Sequence, residues 1–314
     1  MESLQNTKTR LRAVKNIGQI TKAMEVVSAT KMRKAQTVAL ASRPYAFEAL
    51  RILERVLRSA PVKTPLAEAR DARTTLILIV SSDRGLAGSF NTQIFRAVDN
   101  FMASDLLNSQ SQHNYVFVVI GKKAAAYAAK KNLKIEDKFF EAGDYVEPGE
   151  VWPIINFLVN GFTNRRWDRV VAVSTHFRTT LKQEVLARQI LPADFEKIRE
   201  TAKEIVPEYG RWAELSGEID NSGKLPANGQ EYIFEPSPEE ALEALIPHLV
   251  EMQIYHLILE ANASEHSARM VAMKNASSNA EDLSGRLTLD YNKARQASIT
   301  KEIIEITSTQ SAMA

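Results

Sequence analysis

Residues 239–308, EEALEALIPHLVEMQIYHLILEANASEHSARMVAMKNASSNAEDLSGRLTLDYNKARQASITKEIIEITS, decide the fold. Along them Leu242, Leu245, Leu249, Met252, Tyr255, Leu259, Met273, Ala276, Ala280, Leu283, Leu287, Tyr291, Ala294, Ile299, Ile303 and Ile306 return mostly at helical spacings, which predicts one very long helix. Pro236 and Pro238 launch it with Ser237 as its cap, and Pro247 is expected to bend it early. About seventy residues at 1.5 Å each make a rod on the order of 100 Å long. Intrinsic propensity alone does not order such a helix in water, so its stripe needs a cover of similar length.

The cover is at the other end of the chain. Leu4, Leu11, Val14, Ile17, Ile20, Met24, Val27 and Met32 form a second helical stripe, which Pro44 ends or kinks before helical character resumes over 45–59. Each helix adjoins the middle of the chain at its inner end, so the two must run antiparallel. Their stripes are only roughly heptadic and rich in Ala, which predicts an irregular coiled coil of close-set helices. The C-terminal helix should outreach its partner, and its tip, Thr307 to Ala314, is small and uncharged. Long terminal helices that meet in this way make a shaft rather than a catalytic pocket.

Between them the period changes. Leu76-Ile77-Leu78-Ile79-Val80, residues 115–120 and residues 169–175 are short apolar runs suited to strands buried on both faces. Residues 133–140 form a further strand. Helices are expected over 89–108, 122–132 and 150–163, and this alternation predicts a mostly parallel sheet between covering helices. Residues 177–190 are read as two strands projecting beyond the sheet. A helix is expected over 194–206, then loops, and Tyr232-Ile233-Phe234 is read as a short strand. The fold class is therefore α/β: a long antiparallel coiled coil of the N- and C-terminal helices plus a Rossmann-like α/β domain. The expected boundaries are 1–60 for the first helix, 61–236 for the α/β domain with an extended insertion over 193–230, and 237–314 for the last helix.

Composition narrows the function classes. With 45% hydrophobic and 25% charged residues the chain is ordinary for a globular protein. No run approaches the roughly 18 apolar residues of a membrane span. The first residues lack a secretory or transit pattern, so the chain is expected to stay on the cytoplasmic side, docked to a membrane only through partners. The absence of cysteine excludes disulfides, thiolate metal sites and thiol catalysis. The net charge of +2 conceals a basic first helix, with Lys8, Arg10, Arg12, Lys15, Lys22, Lys31, Arg33 and Lys34, and an acidic stretch from Glu235 to Glu265 with no Lys or Arg. Such an arm suits an acidic protein surface or nucleic acid.

The chemistry-bearing residues are sparse. Residues 81–88, SSDRGLAG, follow the first strand where α/β folds place phosphates, but they match neither the dinucleotide fingerprint nor a P-loop and are read as a tight turn. The five histidines are scattered. His256 and Glu260 share a helix face at i, i+4, which is two ligands and not a site. No catalytic residue, metal ligand or cofactor contact is assigned. Trp152, Trp167 and Trp212 are read as core or interface residues. Two other readings stand beside the shaft: a small-molecule enzyme using Asp83 and Arg84, and a basic coiled-coil nucleic-acid adaptor. The aliphatic interleaving of the basic stripe counts against the second.

Several segments resemble a known family. Ile20-Thr21-Lys22-Ala23-Met24-Glu25-Val26-Val27, continuing through Lys31-Met32-Arg33-Lys34-Ala35, resembles the N-terminal signature of the gamma subunit of rotary ATP synthases. Ser82-Asp83-Arg84-Gly85-Leu86-Ala87-Gly88 resembles its first strand-end motif, with Ala87 where many members carry Cys. Residues 265–276, EHSARMVAMKNA, and 291–302, YNKARQASITKE, are similar to its C-terminal signatures. The resemblance implies a non-catalytic central stalk whose paired helices turn inside a hexamer of alpha and beta subunits, driven through a foot shared with the epsilon subunit and the c-ring. It implies no cofactor and no nucleic acid. Carried over by position, Met24, Lys31 and Arg33 face the beta-subunit levers across from Arg269 and Gln296, while Gln296, Thr300 and Glu302 meet the hexamer's catch loops. Tyr232 and Glu235 lie in the foot, near the c-ring or epsilon. The absent presequence favours a bacterium, which gives the expectation of a peripheral place on the cytoplasmic face of its plasma membrane. The 193–230 segment is longer than in simple bacterial members and sits where photosynthetic members carry a regulatory insertion. Without Cys, thiol gating is impossible here.

Overall fold

The computed structural model describes residues 4–41, 64–108, 113–140, 147–194, 235 and 237–313. The expected helices over 45–59 and 194–206 and the strand at 232–234 lie outside them. The elements are α1 (Leu4–Ala41), β1 (Thr74–Val80), α2 (Phe90–Asn108), β2 (Asn114–Ile120), α3 (Lys122–Lys130), β3 (Ile135–Phe139), α4 (Pro148–Thr163), β4 (Arg169–Phe177), β5 (Gln183–Leu191) and α5 (Pro238–Met313). Two compact units result: Met1–Ala29 with Arg269–Ala314, and Thr30–Ala268.

The second unit is built on a five-stranded sheet in the order β3-β2-β1-β4-β5. Its first four strands are parallel, and β5 is antiparallel to β4. Because side chains alternate along a strand, the apolar runs divide between two faces. Leu76, Leu78, Val80, Val116, Val118 and Ile120 pack on one face against Ile154, Leu158 and Phe162 of α4 and Ile246, Leu249, Val250, Ile254, Leu257 and Ile258 of α5. Ile77, Ile79, Phe117, Val119 and Val173 pack on the other against Ile94 and Val98 of α2 and Ala124 and Ala128 of α3. Burial on both faces is why these strands read as continuous apolar runs. Trp167 is buried and donates its indole N–H to Leu158 O at 3.0 Å. Gly161 makes room for it, since a Cβ there would fall 1.8 Å from the indole ring. Trp152 is exposed, and Trp212 lies outside the described residues.

Two expectations need correction. Residues 177–190 do not form two strands beyond the sheet. Instead β4 runs on to Phe177, a short turn follows, and β5 returns as the sheet's edge, paired from Phe177↔Gln183 to Val170↔Leu191. Lys182 N donates to Thr179 Oγ1 at 3.0 Å and Thr179 N to Lys182 O at 2.9 Å, closing the turn. An edge strand is only half-buried, so its polar alternation reads as a projecting segment. The stripe on the last helix, in addition, serves two purposes. The part before Ala268 covers the sheet, and the helix continues unbroken through Pro247.

In the first unit α1 and the later part of α5 pair antiparallel. Among the buried or half-buried positions on α1, Leu4, Thr7, Leu11, Val14, Gly18, Thr21, Glu25 and Ser28 alternate three and four apart. On α5 they include Met270, Met273, Ser277, Ala280, Ser284, Leu287, Tyr291 and Ala294, with the same alternation. This is a heptad seam. Ile17, Ile20 and Val27 were expected in the stripe, yet they are exposed, as are Leu283, Ile299, Ile303 and Ile306. The seam selects small residues because the backbones approach closely: a Cβ built on Gly18 would lie 3.4 Å from Cβ of Ala280. Thr21 is buried without an orphaned hydroxyl, since Oγ1 donates to Ile17 O at 2.9 Å.

Candidate interface of the paired helices

The heptad frame of α1 sorts its remaining residues. Lys8, Lys15 and Lys22 fall seven apart on one flank of the seam, and all three are exposed. Ile17, Ile20, Met24 and Val27 fall on the other flank, with Ile17, Ile20 and Val27 between 52% and 60% exposed. A helix surface with bulky apolar groups on one side of its own seam and ammonium groups on the other has two chemistries to offer a surrounding partner. Lys22 Nζ also reaches Glu25 Oε2 at 3.0 Å.

Beyond Ala294 the described residues of α5 lose their cover. Arg295 to Thr300 are all exposed, and Ile299, Ile303 and Ile306 form a stripe at i, i+4, i+7, from 48% to 65% exposed. An apolar stripe at that spacing is built to be buried.

The residues carried over from the resemblance distribute as follows. Met24 is half-buried on α1 and Arg269 is buried on α5, both in the paired-helix unit. Lys31 is half-buried and Arg33 exposed on α1, in the other unit. Gln296, Thr300 and Glu302 are exposed on the overhanging part of α5. Thr300 Oγ1 donates to Gln296 O at 2.9 Å, and Ser298 Oγ to Glu302 Oε1 at 3.2 Å. Arg269 and Gln296 are separated along α5 by about 40 Å of helical rise, so they sit at two different levels. Glu235 is exposed, and Tyr232 lies outside the described residues.

The α/β unit has its own polar features. At the C-terminal end of β1, the position of a phosphate site in many α/β folds, the chain satisfies itself. Lys122 N donates to Asp83 Oδ1 at 2.9 Å, Lys123 N to Ser82 O at 3.1 Å and Ala124 N to Ser81 Oγ at 2.8 Å. The first amides of α3, which a phosphate would use, are thus occupied by the chain's own oxygens. Gly121 is required here, with φ of 95° and the Ser81 carbonyl oxygen 2.3 Å from where a Cβ would stand.

In the sequence Glu260 has only His256 beside it, four residues away on one helix face. The structure brings His176 of β4 and Arg188 of β5 to the same carboxylate. His176 Nδ1 lies 2.8 Å and Arg188 Nη1 3.6 Å from Oε2, and His256 Nε2 lies 3.3 Å from Oε1. Glu260, His176 and His256 are all buried. Burial alone would raise the Glu260 carboxyl. His176 and then His256 outweigh that and hold it well below the usual carboxylate range. No sequence spacing links these residues, because they converge only when α5 lies across β4 and β5. Among the described residues no group of three His, Asp or Glu is arranged to hold a metal, and no described helix is long and apolar enough to cross a membrane.

Comparison with known proteins completes the picture. A family model described as ATP synthase matches residues 3–313. The ATP synthase gamma chain of Roseiflexus castenholzii is 38% identical over 317 residues, covering 100% of this chain and 99% of the relative. That of Opitutus terrae is 37% identical over 315 residues, covering both chains fully. Among solved structures, a chain of the Euglena gracilis mitochondrial ATP synthase, in its OSCP/F1/c-ring assembly, is similar with a TM-score of 0.62 and 18% identity, covering 99% of this chain and 94% of that one. A chain of the central stalk and c-ring of the Tetrahymena thermophila mitochondrial enzyme is similar with a TM-score of 0.54 and 22% identity, covering 82% and 99%. Matched along its whole length by the family model and by relatives of the same size, the chain belongs to the ATP synthase gamma chain family.

Proposed function

We propose that this chain is the central rotor shaft of a rotary ATP synthase. It couples ion-driven rotation of a membrane c-ring to ATP synthesis or hydrolysis in an alpha/beta hexamer. The observation that carries the reading is the paired terminal helices of a gamma-family chain, in which α5 overhangs α1 and bares Ile299, Ile303 and Ile306. That overhang suits an axle tip seated in a sleeve of other subunits.

In this reading the chain makes and breaks no bond of ATP; it transmits work. Met24, Lys31, Arg33 and Arg269 meet the levers of the beta subunits, and Gln296, Thr300 and Glu302 meet the hexamer at the overhang. Tyr232 and Glu235 belong to the foot, near the c-ring or the epsilon subunit. The basic row Lys8, Lys15 and Lys22 offers charge-assisted contacts to acidic lever residues that can re-form at each step. Torque passes only because contacts differ between rotor positions, since equal binding in all positions shifts no equilibrium. The complex holds the chain peripherally at the cytoplasmic face of a bacterial plasma membrane.

The test is reconstitution of this chain with its own alpha, beta, epsilon and c subunits in vesicles. The full chain should support ATP-driven ion uptake, and a chain ending at Ala294 should support much less. Hexamer activity and ion uptake indifferent to the presence of the chain would reject the reading.

A further inference from the structure

We infer that His176, Arg188, His256 and Glu260 form a register clamp, which fixes α5 against sliding or turning on the sheet so that torque enters the helix without slip. The inference rests on the rotor reading above. Apolar burial is non-directional, and ridges on a helix can settle into neighbouring grooves. The contact of α5 with the sheet is apolar over Ile246, Leu249, Val250, Ile254, Leu257 and Ile258, and outside the cluster its directional contacts to the β4–β5 hairpin are neutral: Ser264 Oγ donates to Thr175 O at 3.4 Å, Ser267 Oγ to Thr180 O at 2.7 Å, and Gln183 Nε2 to Ser267 Oγ at 3.4 Å.

Three elements contribute to the clamp: β4 gives His176, β5 gives Arg188 and α5 gives His256 and Glu260. A one-turn shift moves Glu260 and His256 together about 5 Å along the axis, parting the buried carboxylate from the His176 imidazole on β4 and from the Arg188 guanidinium on β5. Glu184, which pairs with His176 in the strand register, does not compete for it, because its carboxylate is taken by Arg178 and Lys182. A buried ion pair contributes little net stability against apolar residues of equal volume, and its best-attested use is to specify register. Past Ala268 the same helix supplies α5 of the paired-helix unit.

The test compares the natural cluster with a volume-matched apolar one, His176→Leu, Arg188→Met, His256→Leu and Glu260→Met together, and with the isosteric Glu260→Gln. The chain lacks cysteine, so spin labels placed by Leu181→Cys and Ala244→Cys in the full-length chain report the distance from the β4–β5 turn to α5. The natural cluster should give one narrow distance, and the apolar cluster a distribution spread by about a helical turn, ~5 Å, with similar thermal stability. In the reconstituted complex, ion uptake per ATP hydrolysed should fall by more than half while ATP hydrolysis persists. Glu260→Gln, which keeps the shape and loses the charge, should fall between the two. An unchanged distance distribution in both variants would overturn the clamp whatever the complex does. A broadened distribution with unchanged ion uptake per ATP would overturn its role in torque. A natural chain that supports no ion uptake at all would instead remove the rotor reading and the clamp's role with it.

Discussion

Gly18 is the sharpest point at which to perturb the helix pair. It lies inside α1 on the seam, facing Ala280. Glycine in a helix interior costs about 1 kcal/mol relative to alanine. Replacing it by alanine recovers that and buries one methyl, a further gain of up to about 0.8 kcal/mol. Against this stands the fit. The new Cβ would meet Cβ of Ala280 at 3.4 Å, which is close contact but not overlap, and the neighbour is a single methyl. The gains therefore win, and Gly18→Ala should stabilise the paired helices by about 1 kcal/mol. Gly18→Leu should do the opposite. The propensity gain is similar, but the added branch starts from a Cβ already 3.4 Å from Cβ of Ala280, and overpacking of a close contact costs about 1–3 kcal/mol. The assay is thermal unfolding of the full-length chain followed by helical circular dichroism, with hydrogen exchange at α1 amides to assign the transition. For a unit of 60–100 residues, 1 kcal/mol moves Tm by about 4–8 °C. Gly18→Ala lowering Tm, or Gly18→Leu leaving it unchanged, would refute the close-set seam.

Other consequences can be measured on the same chain. Gly161→Ala should destabilise the α/β unit by about 1–3 kcal/mol, because the new methyl would enter the Trp167 ring; tryptophan fluorescence during denaturant unfolding reads it. Asp83→Ala removes the acceptor at the first amide of α3 and should cost about 1 kcal/mol, again read by denaturant midpoint. Glu260 titrates lower in the folded than in the unfolded chain. It therefore contributes stability that is complete above the ordinary carboxylate value near about 4.3 and is lost as pH falls below it. Thermal melts from neutral to acid pH should show that loss, and Glu260→Gln should reduce the slope in that window.

Much of the fold is legible in the residues. Leu76 to Val80 and the apolar runs of β2 and β4 announce doubly covered strands, because burial on both faces leaves no polar alternation. The two terminal helices are equally plain from spacing. What the sequence conceals is which stripe meets which surface. Ile17, Ile20 and Val27 carry a stronger apolar signal than Thr7, Gly18, Thr21 and Ser28, yet the small residues form the seam, since close approach of two backbones rewards small volume over hydrophobicity. Leu249 and Leu259 look like a continuation of the shaft stripe but pack in the core of the α/β unit. The Glu260 cluster is the least legible of all. His256 and Glu260 are neighbours on one helix, whereas His176 and Arg188 reach them only through tertiary folding. The spent phosphate position at α3 is half-legible: Ser81, Ser82 and Asp83 lack a phosphate-binding motif, but that their oxygens occupy the helix amides is a matter of geometry.

The most direct test of the antiparallel helix pair is a disulfide across its closest approach. Gly18→Cys and Ala280→Cys, introduced together into the cysteine-free chain, place two Cβ atoms near the 3.5–4.5 Å that a disulfide takes. Mild oxidation should yield a cross-linked, faster-migrating monomer almost completely, while Gly18→Cys with Leu287→Cys, one heptad out of register, should stay reduced. A cross-link in the second pair and none in the first would contradict the register. No intramolecular cross-link in either would contradict the shaft.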